Sequence, residues 1–142
     1  MSGVSGEIEA LAKKTIGAAI EVHKALGPGY LESIYQEAMK AELHRRKIPF
    51  EYEHPIRITY KGNDVGAARL DLLIDGLLIV ELKAVDQLHS IHRAQVLHYL
   101  EATRLPLALL LNFKVPRMKH GIKRIVLSKN SQIRHQRHQT RP

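Results

Sequence analysis

The sequence contains no cysteine and no tryptophan. Without cysteine, the chain has no disulfide framework, no cysteine-ligated zinc or iron–sulfur site and no thiol nucleophile, and we expect it in a reducing cytoplasm. Five Tyr and two Phe are too few for a broad platform on which nucleic-acid bases stack. No apolar run approaches the roughly 18–20 residues of a membrane span, so no membrane partner is predicted.

The glycine and histidine motifs of several large enzyme classes are also missing. No Walker-type or dinucleotide-binding glycine pattern occurs, which argues against an NTPase or a dehydrogenase. There is no Gly-x-Ser-x-Gly motif for a serine hydrolase and no His-Glu-x-x-His motif for a zinc protease. Any chemistry must therefore come from other residues.

Charge gives the first positive indication of function. The 142 residues include 22 Lys and Arg but only 14 Asp and Glu, a net charge of +8. A basic surface favours polyanions such as nucleic acid. The remaining composition, 44% hydrophobic and 25% charged, is ordinary for a globular protein. We predict a single domain over residues 1–127 and a basic, flexible tail over residues 128–142. The tail would either bind polyanions or only increase solubility.

The spacing of apolar residues predicts a mixed α/β fold with the order α-α-β-β-β-α-β-β. Apolar residues recur at helical spacings on either side of Gly27-Pro28-Gly29, a sequence that stops helices. Alternation begins near Ile56, and Asp75-Gly76 is a hairpin signal. Helices are predicted over 7–26, 30–47 and about 89–103, and strands over 56–60, 67–74, 77–84, 107–112 and 122–127. This order indicates a mixed sheet with helices packed on it.

Three charged residues interrupt strands that otherwise have core composition: Asp71, Glu81 and Lys83. Burying an isolated carboxylate costs several kcal/mol unless another group offsets it. These residues must therefore share partners, bind a cation or face a cleft. Because Glu81 and Lys83 are two residues apart, their side chains point to the same face of the strand.

Whether Asp71 joins that face depends on the hairpin register. A two-residue loop would pair residues 74 and 77 and turn Asp71 away. A three-residue loop over 74–76, with Gly76 in the left-handed conformation, pairs 73 with 77 and sets Asp71 opposite Ile79 and diagonal to Glu81. We predict this bulged register, because it also gathers one apolar face from Leu70, Leu72, Leu78, Val80 and Leu82.

Two carboxylates beside a lysine suit a hard divalent cation. Asp71, Glu81 and the backbone carbonyl of Leu82 would supply oxygen ligands to Mg²⁺ or Mn²⁺. Lys83 would orient or deprotonate the attacking water, or stabilise charge on a phosphate. Metal-assisted hydrolysis of a phosphodiester follows as a reaction class. The alternative is a structural network of ion pairs without catalysis.

The same residues resemble the signature of the PD-(D/E)XK nuclease superfamily. Leu70 stands where the signature has proline, a loosely kept position. More specifically, the sequence resembles the GxxExxY protein family over residues 10–127. The resemblance implies a restriction-endonuclease-like core, a four-stranded mixed sheet flanked by helices. The matching segments are Glu21-Val22-His23, Gly27-Pro28-Gly29, Gly29-Tyr30-Leu31-Glu32-Ser33-Ile34-Tyr35, Val80-Glu81-Leu82-Lys83-Ala84 and Asn112-Phe113-Lys114-Val115-Pro116.

The resemblance also implies roles for residues outside the strands. Glu32 would complete the metal site, although an acid in the first turn of a helix is also favoured by the helix dipole. His23 would contact the metal, the alternative being a hydrogen-bonded core histidine. Gln95 and Tyr99, one helical turn apart, would position the site or the nucleic acid. Tyr35 would steady Glu32 or contact phosphate, although an aromatic at this spacing is more often core.

A basic cluster follows the strand 107–112. Lys114, Arg117 and Lys119 would bind phosphates without reading base sequence. The leading hypothesis is therefore a magnesium-dependent nuclease acting on DNA or RNA. The alternative is a catalytically inactive module with the same fold that binds nucleic acid or regulates a partner. A nuclease that cuts both strands of a duplex often needs two active sites, so a homodimer also fits.

Overall fold

The structure is a computed structural model that describes residues 3–127, and the predicted basic tail 128–142 lies outside these residues. No helix in the described part of the chain is long and apolar enough to cross a membrane. The elements follow the predicted order, with a short 3-10 helix, η1, before the last strand. They are α1 Gly6–Leu26, α2 Glu32–Arg45, β1 Phe50–Tyr60, β2 Asn63–Ile74, β3 Leu78–Lys83, α3 Ser90–Thr103, β4 Leu107–Asn112, η1 Met118–Gly121 and β5 Ile122–Val126.

Local signals define the ends of α1. The Ser5 hydroxyl accepts the backbone N–H of Ile8 at 3.3 Å and caps the helix start. At the other end Gly27, with φ +71°, donates its N–H to the His23 carbonyl. Pro28 cannot continue the helix. The chain therefore turns back, and α2 packs against α1.

The strands form one sheet in the spatial order β1-β2-β3-β4-β5. β3 and β4 are parallel and joined through α3, whereas the other neighbouring pairs are antiparallel. The mixed α/β fold and its chain order are thus confirmed. The four-stranded core implied by the resemblance is one strand short, because the strand predicted over 122–127 also joins the sheet. This strand, β5, pairs along β4 from Leu107–Val126 to Leu111–Ile122.

Helices cover both faces of the sheet, so β3 and β4 are almost fully buried. One core lies between the sheet and the helices α1 and α2, and it includes Met39, Leu72, Val80 and Leu109. The other lies beneath α3 and includes Val96, Leu100, Leu73, Ile79 and Leu110. Burial on both faces explains the nearly continuous apolar sequence of these strands.

The hairpin between β2 and β3 differs from the predicted register. Ile74 pairs with Leu78, and Leu73 pairs with Ile79, so the loop is 75–77 and not 74–76. Gly76 has the predicted positive φ, +69°, and the φ of Asp75 is also positive, +50°. The loop still has three residues, so the shift of register is an even number and leaves the paired residues 72–74 and 78–80 on their predicted faces.

Two other expectations about side-chain placement are wrong. Leu70 belongs to the core beneath α3, not to that of Leu72, because the alternation of β2 breaks at Asp71. There the opposing β1 residue, Glu53, has φ +53°. The alternation predicted from Ile56 also implies an inward face that includes Ile58 and Tyr60, but only Ile56 is buried, and Ile58 and Tyr60 are exposed. Their part of β1 pairs with β2 beyond the residues that pair with β3.

Candidate active site

The site lies where β2 and β3 separate. Their regular pairing reaches Leu72–Val80, and side chains make the next hydrogen bonds. The Asp71 backbone N–H donates to Glu81 Oε1 at 2.9 Å, and the Leu82 N–H donates to Asp71 Oδ2 at 2.8 Å. Each carboxylate thus satisfies a backbone donor of the opposite strand, where the ladder would otherwise leave that donor unpaired.

The two carboxylates lie side by side. Glu81 is 3% exposed and Asp71 is half-buried, and their side chains hydrogen-bond to each other. Burial, followed by the charge of Asp71, raises the pKa of Glu81 to about 8. Burial also raises the pKa of Asp71, although the hydrogen bond from the Leu82 N–H lowers it in part. The pair therefore favours a shared proton or a cation over two uncompensated negative charges.

The helix α2 contacts this pair through Gln36, a residue that the sequence analysis missed. Gln36 Nε2 donates to Asp71 Oδ1 at 2.9 Å. Glu32, one turn earlier on the same side of the helix, is half-buried. Burial raises its pKa, while the charges of Lys83 and Asp71 act in opposite directions. The only signal in the sequence that could have identified Gln36 was its spacing of four residues from Glu32, which places both on one side of a helix.

The helix α3 contacts the site from the opposite layer. Lys83 Nζ donates to Gln95 Oε1 at 3.3 Å, and Gln95 hydrogen-bonds to the side chain of Tyr99. Burial, followed by the charge of Glu81, raises the pKa of Tyr99. His92 also lies close enough that, after burial, the Lys83 charge lowers its pKa. The structure thus brings Lys83, Gln95 and Tyr99 together with the carboxylates.

Tyr35 lies in the core rather than at the surface. It is 0% exposed, its hydroxyl donates to the Gly27 carbonyl at 2.6 Å, and its ring stacks on Phe113 at 4.6 Å. A direct contact with phosphate is therefore excluded in this conformation. Tyr35 instead fixes the loop between α1 and α2, because its hydroxyl also accepts the backbone N–H of Tyr30 at 3.2 Å.

His23 also has a structural position. Its Nε2 donates to the Val115 carbonyl at 2.8 Å, and its ring lies against Phe113. The side chain is 8% exposed. This nitrogen has no lone pair for a metal while it carries the donated proton, so a metal contact of His23 stays a prediction for Nδ1. The alternative, a hydrogen-bonded core histidine, describes it.

The predicted basic cluster lies on the surface after β4. Lys114, Arg117 and Lys119 are all exposed. Lys114 forms an ion pair of 2.7 Å with Asp86. Asn112 is buried and secures the start of this loop by accepting the N–H groups of Val85 and Lys114 and by donating to the Val85 carbonyl. The hydrogen bonds of Asn112 therefore fix the start of the loop that carries these charges.

The donor set suits a divalent cation only in part. In residues 3–127, no group of three or more His, Asp or Glu side chains is arranged to hold a metal, so Glu32 is not placed as a third side-chain ligand. Asp71 and Glu81 supply adjacent carboxylates of high proton affinity. The N–H and C=O of a strand residue point to the same side, so the Leu82 carbonyl points toward β2, the side on which the Leu82 N–H donates to Asp71. Two carboxylates and one carbonyl, with water completing the shell, fit Mg²⁺.

Comparison with protein families gave a match over most of the chain. The family model described as the PD-(D/E)XK nuclease superfamily matches residues 9–125, which contain every charged residue of the site. A search of curated proteins found no match.

Proposed function

The chain belongs to the PD-(D/E)XK nuclease superfamily, and on that premise we propose that it hydrolyses phosphodiester bonds of nucleic acid with a divalent cation. The observation that carries the proposal is the buried Asp71–Glu81 pair beside Lys83. Two carboxylates that hydrogen-bond to each other at the end of paired strands cost stability. Cation binding would relieve that cost.

In this proposal, Asp71, Glu81 and the Leu82 carbonyl hold Mg²⁺ or Mn²⁺. The cation supplies Lewis-acid activation of the phosphate and lowers the pKa of water. Within the chain, Gln36 keeps Asp71 Oδ1 directed by a 2.9 Å hydrogen bond. Glu32 adds negative charge at the same end of α2.

Lys83 is the catalytic cation of the proposal. Its ammonium group donates to Gln95 at 3.3 Å, which orients it, and its charge acts on the carboxyl groups of Asp71 and Glu81. A fixed positive charge there stabilises the negative charge that develops on the phosphate as water attacks and the ester bond breaks. Tyr99 supports Gln95 from the next turn of α3.

The exposed Lys114, Arg117 and Lys119 would hold flanking phosphates without reading base sequence. Within the superfamily we assign the chain to the GxxExxY family on the motif from Gly29 to Tyr35. A cytoplasmic location and a homodimer remain predictions of the sequence.

Cleavage of labelled single- and double-stranded DNA and RNA, in Mg²⁺ or Mn²⁺ and in EDTA, tests the proposal. Asp71→Ala and Lys83→Met should each lower the rate by at least about a hundredfold. Asp75→Asn, four residues from Asp71 in the exposed turn, and Lys13→Met, on the exposed side of α1, are the matched controls and should keep the wild-type rate.

Cleavage that persists in EDTA, or in Asp71→Ala, would contradict the proposal. Binding of nucleic acid with no cleavage in any sample would favour the alternative, an inactive binding module of the same fold.

A further inference from the structure

The hairpin of β1 and β2 continues past the point at which β2 leaves β3. The pairing of β2 with β3 ends at Leu72, whereas β1 and β2 stay paired up to Tyr60–Asn63. All residues from 57 to 67 are exposed, and we call residues 57–67 the hairpin arm. At about 3.3 Å per residue, the arm extends roughly 15 Å from its base to its turn. It is a two-stranded ribbon that is exposed on both faces.

The hairpin arm begins at the active-site end of the sheet. Asp71 lies where β2 and β3 separate, and Arg69 is two residues closer to the arm. By the register of the two strands, Arg69 lies level with Lys83, the last residue of β3. Ala67, at the base of the arm, is four residues from Asp71, about 13 Å along an extended strand. A polymer with a phosphate at Lys83 would therefore reach the arm within a few nucleotides.

The two faces of the hairpin differ in character at the base of the arm. Ile56 and Ala68 belong to the core beneath α3. Because side chains alternate along a strand, their neighbours Arg57 and Arg69 point to the other face, that of α1 and α2. Both arginine side chains are 70% exposed, and Lys61 adds an exposed cation at the turn. Three exposed cations thus lie beyond the active-site end of β3.

Side-chain contacts order the hairpin arm although it belongs to neither core. Arg57 forms an ion pair with Asp64, and Asp64 Oδ1 accepts the backbone N–H of Gly66 at 3.0 Å. Lys61 Nζ lies over the ring of Tyr60, 5.4 Å from its centre. A two-stranded ribbon alone is only marginally stable in water. These contacts therefore lower the conformational entropy that the arm would lose on binding a ligand.

We propose that the hairpin arm is a DNA-binding element that lies in the major groove of a duplex whose backbone continues to the active site. This inference rests on the proposed nuclease function. The major groove of B-DNA is about 12 Å wide and admits a two-stranded β-ribbon. Such a position requires that both faces of the ribbon be free, as they are in the arm. The three cations would meet the phosphates, which a duplex presents at one charge per about 1.7 Å.

Other forms of nucleic acid fit the hairpin arm less well. A single strand is held largely by bases that stack on aromatic side chains. The face of the arm that carries Arg57 also carries Thr59 and Ala67, and none of these is aromatic. The major groove of an RNA duplex is deep and narrow, so it would not admit the ribbon. The shape and charge of the arm therefore favour duplex DNA.

Fluorescence anisotropy of the full chain with a labelled 20-base-pair DNA duplex, in EDTA and at several salt concentrations, tests the inference. Arg57→Gln/Lys61→Gln should weaken binding about tenfold at low salt. The slope of log affinity against log salt should become shallower by about 2, since each phosphate contact contributes about 0.9. Lys13→Gln/Lys14→Gln removes two exposed cations from α1 and should leave the affinity within twofold and the slope unchanged.

Asp64→Asn should have the opposite effect. It removes the negative charge that pairs with Arg57 but keeps an oxygen that can accept the Gly66 N–H. Binding of the duplex should therefore tighten severalfold. Asp75→Asn makes the same change of charge in the exposed turn at the far end of β2 and should leave the affinity unchanged. Circular dichroism of each variant verifies the fold.

An unchanged affinity and salt slope in Arg57→Gln/Lys61→Gln would overturn the inference. Wild-type binding of the single strand, or of an RNA duplex of the same length, that is as tight as that of the DNA duplex would overturn the assignment to duplex DNA. A wild-type dimer that the double variant turns into a monomer, with unchanged affinity for the duplex, would make the arm an interface between copies and also overturn it.

Cleavage in Mg²⁺ or Mn²⁺ separates this inference from the proposed function. Arm-dependent binding of the duplex without cleavage of any substrate would support the arm and contradict the nuclease. Cleavage of the duplex at a rate that the arm variants do not change, at duplex concentrations below saturation, would support the nuclease and overturn the arm.

Discussion

Asp71 and Glu81 each bind the backbone of the other's strand. Glu81 Oε1 accepts the Asp71 N–H at 2.9 Å, while Asp71 Oδ2 accepts the N–H of Leu82, next to Glu81, at 2.8 Å. The carboxylates therefore replace the ladder where the strands part. Their positions are fixed by the sheet before any cation binds, which is the preorganisation that a catalytic site requires.

This arrangement predicts a pH-dependent stability of the metal-free protein. The pKa of Glu81 is raised to about 8 by burial and by Asp71, whereas an unfolded Glu titrates near its ordinary value of about 4.3. Between these values the folded state binds more protons than the unfolded state. The free energy of unfolding should therefore fall, by on the order of 3 kcal/mol, as the pH rises from about 4.5 to about 8.

Urea unfolding in EDTA at several pH values measures this decline. Glu81→Gln should remove most of it and should be more stable than the wild type at pH 8, because the amide carries no buried charge. Glu21→Gln changes an exposed residue of α1 and should keep the wild-type slope. A Glu81→Gln curve parallel to that of the wild type would contradict the assigned cause.

Gln36 should control the affinity for the cation. Gln36→Met keeps the size of the side chain but removes the donor to Asp71 Oδ1. Since partners that orient metal ligands typically contribute 10–100-fold in affinity, Mn²⁺ binding should weaken about tenfold by isothermal titration calorimetry. Gln87→Met, at an exposed glutamine, is the control. Unchanged Mn²⁺ affinity in Gln36→Met would show that Asp71 needs no support from α2.

Tyr35 should act on stability and on the loop between the first two helices. Tyr35→Phe retains the stack on Phe113 but removes the hydroxyl that bonds to Gly27 and Tyr30. Each lost hydrogen bond is worth about 1 kcal/mol. We expect the free energy of unfolding to fall by about 2 kcal/mol in urea. Tyr60→Phe, at an exposed tyrosine, should change it by less than about 0.5 kcal/mol.

Gly121 should tolerate no side chain. A Cβ built there would lie 2.0 Å from the Asn112 carbonyl oxygen and 3.1 Å from a methyl group of Val115. Gly121→Ala must displace the backbone that carries the basic loop, so it should destabilise the protein by more than about 2 kcal/mol. Gly6→Ala is the control, because nothing lies within 4 Å of its added Cβ. Equal melting temperatures of these two variants would refute the close contact.

Much of the fold follows from local patterns. The glycines and proline at 27–29 end one helix before the next, and the apolar strands with their three charged residues mark the centre of the sheet. The odd number of residues in the hairpin loop was also predictable, because only that parity brings Asp71 to the face of Glu81. The position of the loop was not, since shifts of two residues preserve the apolar pattern equally well.

The partners of individual polar residues did not follow from local patterns. Gln36 shows no anomaly on its helix, and its partner Asp71 lies 35 residues away. His23 fits both a metal ligand and a core residue until Val115, 92 residues away, is placed beside it. Leu70 has the same apolar character as Leu72, and only the break in β2 assigns it to the other core.

The sequence by itself determined the order of the elements and the charged residues that the sheet must accommodate, because periodicity, glycine and proline act within a few residues. The tertiary structure alone decided which side chains meet Asp71, which tyrosine supports the loop and to which core Leu70 belongs. These depend on how segments far apart in the chain pack together, and side-chain hydrogen bonds require positions correct to a few tenths of an ångström.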